Sequence, residues 1–148
     1  MDQFETCRSQ NALVAALREA LGIQSVLSSR RVGEQLTVLA ADHASPAFGE
    51  GLAFLPLGET ICRHTLEIGQ TLVIPDVHAH PLVNRSPALV RLGAGAYLGT
   101  PLPSEGAPDR TLCAIHIHRR DWTGAEVALI ETAAARCRAL PVQAPLSG

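Results

Sequence analysis

Two apolar segments near the C-terminal end, AYLGTPL (96–102) and RTLCAIHIH (110–118), limit the possible folds more than anything else in the chain. Each is short and rich in β-formers, and the loop between them, PSEGAPD, holds a glycine and two prolines. The pair therefore reads as a hairpin. Because both strands are apolar at successive positions, they belong in the middle of a sheet that is covered on both faces.

The rest of the chain supplies the cover. Thr123 and Glu126 stand at the spacing of a T-x-x-E capping box, and Val127, Ile130, Ala134 and Cys137 follow at helical intervals up to Pro141. At the other end, NALVAALREAL (11–21) puts Leu13, Val14, Leu17 and Leu21 on one face and is closed by Gly22; its start could lie as early as Phe4. QSVLSSRR and QLTVLAAD, separated by Val32-Gly33-Glu34, predict a further hairpin. Residues 42–57 mix Pro and Gly with Phe48 and Phe54 and are expected to be irregular, a candidate lid. GETICRHTLEIG predicts a short helix with Ile61, Thr65 and Ile68 on one face and Gly69 at its end. TLVIP is a strand stopped by Pro75; the turn-rich DVHAHPLVNRSP follows, then a helical piece, ALVRLG.

At 148 residues this is one domain with one core, expected over 1–141 with a short tail or linker at 142–148. Apolar residues make up 47% and charged ones 18%, which excludes disorder, and no apolar run approaches the ~20 residues that span a bilayer. The N-terminus lacks the pattern of a signal peptide, so a cytoplasmic location with no membrane association is the expectation. Four scattered cysteines without a C-x-x-C pair fit reduced thiols better than a zinc knuckle or a disulfide framework. The net charge is −2, and the twelve cationic residues, all arginine, form no basic stripe for nucleic acid. No G-x-S-x-G elbow, Walker loop or H-E-x-x-H occurs, which removes the commonest hydrolase and nucleoside-triphosphatase classes.

Both the order of elements and several local words resemble the GAF family. The words are LPLGETICRHTLEIGQTLVIPDVHAHPLV, with its G-x-x-L-x-x-P-D strand end, AGAYLGTPL, with Y-x-G-x-P-L, and TLCAIHIHRRDWTGAEVALIETAA; together they cover about residues 10 to 140. The resemblance implies an α/β, GAF/PAS-like fold. A central antiparallel sheet of five to six strands would carry the terminal helices on one face, with short helices and loops forming a small-molecule pocket on the other. Members of such a family sense ligands as different as cyclic nucleotides, tetrapyrroles, haem, iron clusters and small metabolites, so the cofactor stays unknown. Partners implied are a small-molecule ligand, a second copy through the terminal helices, where Ala133, Ala134 and Ala135 could allow close approach, and an output domain such as a histidine kinase, a diguanylate cyclase or a transcription regulator.

Mapped onto the family's pocket side, the candidate ligand-binding residues are Cys62, Asp76, His78, Tyr97, Thr100 and His116. Each also has a plainer reading. Asp76 could cap the turn after Pro75. His78 with His80, and His116 with His118, would share faces if extended and could grip a metal or haem, yet most such histidines are exposed or hydrogen-bonded. His116 stands where the family commonly has aspartate. Cys62 and Cys113 read first as small buried hydrophobes; a redox role would require an acidic thiol or a resolving partner. Asn84-Arg85 occupies the place where bilin-linking members carry Cys-His, and the N-K-F-D-E words of cyclic-nucleotide binders are missing. An enzymatic alternative, a thiol redox enzyme resembling free methionine sulfoxide reductase, lacks that branch's G-x-G-V-C-G and D-I-D-S words.

Overall fold

The computed structural model describes residues 2–44, 54–56, 60–85 and 93–142, with backbone alone at 54–56. Helix α1 (Gln10–Leu21) starts where the Ser9 hydroxyl accepts a hydrogen bond from the Ala12 amide and stops at Gly22, whose φ of 64° no β-carbon residue adopts easily. It does not reach back to Phe4. Residues 3–6 form a turn closed by the Asp2 carboxylate on the Phe4 amide, and the Phe4 ring is buried from there.

Strands β1 (Ser25–Val32) and β2 (Gln35–His43) pair across a two-residue turn, with Val32 opposite Gln35 and Gly33 at a φ of 60°. A left-handed residue at the first turn position matches the twist of the flanking strands. The candidate lid is partly strand: Asp42 and His43 finish β2, and β3 (Phe54–Pro56) adds to its outer edge. Residues 45–53 and 57 of that segment lie outside the described residues, as do 88–92 of the expected ALVRLG helix.

Helix α2 (Cys62–Ile68) ends at Gly69, φ 71°. Its inward face is Cys62, Thr65 and Leu66, whereas Ile68 is 48% exposed, so the expected Ile61-Thr65-Ile68 stripe is wrong by one position at its end. Ile61 precedes the helix as its cap, and the inward repeat runs i, i+3, i+4 from Cys62. Strands β4 (Leu72–Ile74), β5 (Ala96–Pro101) and β6 (Arg110–His116) precede α3 (Gly124–Cys137), whose capping box is complete: Thr123 Oγ1 accepts from the Glu126 amide and Glu126 Oε1 from the Thr123 amide.

The sheet runs β3-β2-β1-β6-β5-β4, every neighbour antiparallel, which bears out the predicted fold class. Side chains alternate between its faces. On one face Leu98, Leu102, Leu112 and Ala114 pack with Leu13, Leu17, Ile130 and Ala133 of the terminal helices. On the other, Tyr97, Cys113 and Ile115 pack with Cys62 and Leu66 of α2 and with Val77 and Val83. A bulge at Leu39, the extra residue between Val38 opposite Ser29 and Ala40 opposite Ser28, lets β2 serve both clusters. Val38 and Leu36 go to the α2 face, and Ala40 goes under the terminal helices. Ala133 and Ala134 are buried against this same sheet and so cannot be where a second copy docks; of the three alanines only Ala135 is exposed.

Candidate functional site

The α2 face carries a buried cluster of polar side chains. Tyr97 projects from β5 beneath α2, and its hydroxyl meets Thr65 Oγ1 at 2.9 Å and Cys62 Sγ at 3.6 Å. Cys62 Sγ lies 3.7 Å from Cys113 Sγ on β6. Thr111, one alternation before Cys113, shares this face and meets Ser29 Oγ at 2.8 Å. All six residues are buried. Gly99 makes the arrangement possible: a β-carbon there would sit 2.1 Å from the Tyr97 hydroxyl, so the ring lies directly across the glycine. That is the physical content of the Y-x-G word.

These contacts shift the acidities in opposite directions. The Cys113 thiol, hydrogen-bonded to Cys62, pulls the Cys62 thiol down to about 7 against the opposing effect of burial, with help from Tyr97 and Thr111. Cys113 is pushed well up, first because that bond needs its proton and then by burial and the neighbouring sulfur's charge. Burial, then the charges of the two thiols, raises Tyr97 as well.

Of the six candidates, only Cys62 and Tyr97 belong to this cluster. Asp76 and His78 sit in the turn after β4, where Asp76 Oδ1 accepts from the His78 amide at 3.1 Å, and His78 is exposed. His78 and His80 are not extended, since the His80 carbonyl accepts turn bonds from Val83 and Asn84. Thr100 and His116 fall on the opposite face, in the alternation of Leu98 and Leu112. Thr100 donates to Thr71, which donates to Glu131 of α3, at the edge of an open cleft of about 700 Å3. His116 lies edge-on to His118, ring centroids 5.7 Å apart, with its Nδ1 buried and without a hydrogen-bond partner among the described residues. Among the described residues no three His, Cys, Asp or Glu side chains gather as metal ligands.

One segment joins the two faces. The Arg120 amide donates to the Pro75 carbonyl and the Trp122 indole to that of Ile74, at 2.9 and 3.3 Å. The Arg120 guanidinium stacks on Trp122 and donates both to Leu21 O, at the end of α1, and to Glu126, in the first turn of α3. A short strap thus ties the end of β4, and the turn of Asp76 and His78 behind it, to both terminal helices. Cys113, Thr65 and Thr111 were not among the candidate residues; Arg120 and Trp122 carried no sequence signal beyond lying between a strand and a capping box.

Burial holds the imidazoles of His43, His64 and His116 below the usual histidine range, reinforced at His64 by Arg63 and at His116 by Arg120 and His118; at His43 the Asp42 carboxylate opposes it. The unfolded chain therefore binds protons at these sites before the folded one does. The stability that these three imidazoles contribute is complete above about pH 6.5 and falls as acid carries the solution down through the depressed folded values. Urea midpoints should be lower near pH 5.5 than near pH 7.5; a midpoint that rises on acidification contradicts this assignment.

The GAF domain family model matches residues 9–139. The chain belongs to the GAF family. No curated protein matches its sequence. Its fold is similar to the GAF domain of a phosphoenolpyruvate-protein phosphotransferase from Coxiella burnetii, TM-score 0.73 at 19% identity over 93% of this chain and 84% of that one. It is also similar to a type II free methionine-R-sulfoxide reductase from Thermoplasma acidophilum, TM-score 0.70 at 16% identity over 92% of each. A third is the GAF3 domain of Slr1393 from Synechocystis sp. PCC6803, TM-score 0.70 at 18% identity over 88% of this chain and 89% of that one. No helix among the described residues is long and apolar enough to cross a membrane.

Proposed function

We propose that this GAF domain is a regulatory sensor that takes a small molecule on the α2 face and passes its presence to an output partner through α1 and α3. The observation that carries the reading is the Arg120–Trp122 strap, which bonds the C-terminal end of β4 and both terminal helices at once. A ligand that shifts the turn of Asp76 and His78 pulls on Pro75 and Ile74, and the strap delivers that shift to Leu21 and Glu126. Ligand binding acts by favouring one of two arrangements of these helices. A homodimer would use the outer side of α3, where Ala125, Ala128 and Ala135 are exposed; sedimentation as a monomer at high micromolar concentration counts against it. A histidine kinase, a diguanylate cyclase or a transcription regulator fits as the listening output.

The test is a melting screen with cyclic nucleotides, a linear tetrapyrrole, haem and amino acids, followed by hydrogen exchange with whichever compound raises the melting point. The expected result is altered exchange in α1 and α3 for the wild-type chain and not for Arg120→Ala, with binding retained. Exchange changes of equal size in both chains remove the strap from the account. The paired thiols favour a second reading, reduction of free methionine sulfoxide; turnover with a dithiol reductant that is unchanged in both Cys62→Ser and Cys113→Ser rejects it.

A further inference from the structure

The two thiols of the α2 face meet each other between helix and sheet. Cys62 begins α2, Cys113 lies mid-strand in β6, and the two are 51 residues apart in sequence with their sulfurs 3.7 Å apart and unbonded. We propose that this pair is an oxidation site for a small hydroperoxide, which converts it to a disulfide that clamps α2 to the centre of the sheet.

Three features support the assignment. The sulfurs already stand 3.7 Å apart and have to close to the roughly 2.05 Å of a disulfide. The pair is isolated from competing thiols, since Cys7 and Cys137 pack in the cluster on the other face, Cys137 against Ser28. Its surroundings are polar where an inert core cysteine's would be apolar: the Tyr97 hydroxyl donates to Cys62, and Thr111 is close enough to help hold a thiolate. The raised acidity of Cys62 makes it the attacking sulfur, while Cys113 keeps its proton. Cys62 is 6% exposed and Cys113 not at all, so the oxidant class is one little larger than water, reaching the pair through local opening of a seven-residue helix; bulky disulfides are excluded.

With hydrogen peroxide the chemistry closes in two steps. The Cys62 thiolate attacks one peroxide oxygen, the O–O bond breaks, and the departing hydroxide takes the proton that Cys62 released, leaving a sulfenic acid and one water. Cys113 then attacks the Cys62 sulfur as the S–O bond breaks, and its proton leaves with that hydroxide as a second water. Two thiols lose two electrons in total and the peroxide gains two. Tyr97 is left hydrogen-bonding a disulfide sulfur, a weaker acceptor than a thiolate, and α2 can no longer lift from β6.

The full chain, treated with stoichiometric hydrogen peroxide in the absence of methionine sulfoxide and then alkylated, is mapped by peptide mass spectrometry. The expected result is a Cys62–Cys113 crosslink lighter by two hydrogens, with Cys7 and Cys137 alkylated, complete reversal by a dithiol, and a thermal midpoint roughly 5–10 °C higher in the oxidised form. Cys113→Ser should stop at the Cys62 sulfenic acid, trapped by a dimedone probe. The proposal is overturned if Cys62 runs on to sulfinic acid in the wild-type chain without crosslinking, if the crosslink appears only in denaturant, or if the oxidised protein melts no higher than the reduced one.

Discussion

Replacing Gly99 by alanine will destabilise the domain by about 3 kcal/mol, read as a lowered urea midpoint with the slope unchanged. The added carbon would stand 2.1 Å from the Tyr97 hydroxyl, 2.5 Å from Cζ and 2.6 Å from Cε1. The ring cannot simply swing aside, because it is 1% exposed and its hydroxyl is held by Thr65 and Cys62. Moving it strands a buried hydroxyl as well as opening the packing under α2, and each of those losses is of kcal/mol size. A double-mutant cycle isolates the cause. In a Tyr97→Ala background the same Gly99→Ala change should cost well under half as much, since the obstructing ring is gone. An equal cost in both backgrounds would mean that the strand, not the ring, needs the glycine.

Gly95→Ala is expected to cost at least as much, about 3 kcal/mol or more, for a different reason. A β-carbon at 95 would lie 2.5 Å from Ile117 O, 2.6 Å from His118 C and 2.9 Å from His118 Cα, all of them backbone atoms that no rotamer change can clear. Gly95 is also where two segments are fastened, since its amide donates to His116 O at 2.7 Å and its carbonyl accepts from the Val77 amide at 2.9 Å. Pushing the chains apart releases the end of β6 and the turn of Asp76 and His78 together. Gly106→Ala is the control. Nothing among the described residues lies within 4 Å of its added carbon, so its effect should stay within roughly 0.5 kcal/mol. Similar losses at 95 and 106 would show that glycine flexibility, and not close approach, governs both.

The elements that obey local rules were legible in the sequence. Gly22 and Gly69 mark helix ends because only a residue without a β-carbon relaxes into their left-handed geometry, and Thr123 with Glu126 announces a helix start through four covalent positions alone. The partition of the candidate site was harder. Tyr97 and Thr100 are three residues apart in one strand, so strict alternation already forbids them from sharing a face. That signal was present, and grouping the residues by family resemblance overrode it. The bulge at Leu39 and the strap from Arg120 to Trp122 depend on tertiary pairing, which no local pattern encodes. The 3.7 Å approach of Cys62 to Cys113 joins residues 51 apart and is likewise a product of packing α2 across β6.

The central claim, that the α2 face holds a small molecule, is tested most directly by native mass spectrometry, with an absorption spectrum, of the freshly purified chain before and after incubation with the small-molecule fraction of a cell extract. The account predicts one added small-molecule mass per chain, with visible absorbance if that molecule is a tetrapyrrole or haem, and loss of the added mass in Gly99→Ala, where the Tyr97 ring is displaced. The bare chain mass under both conditions would contradict it.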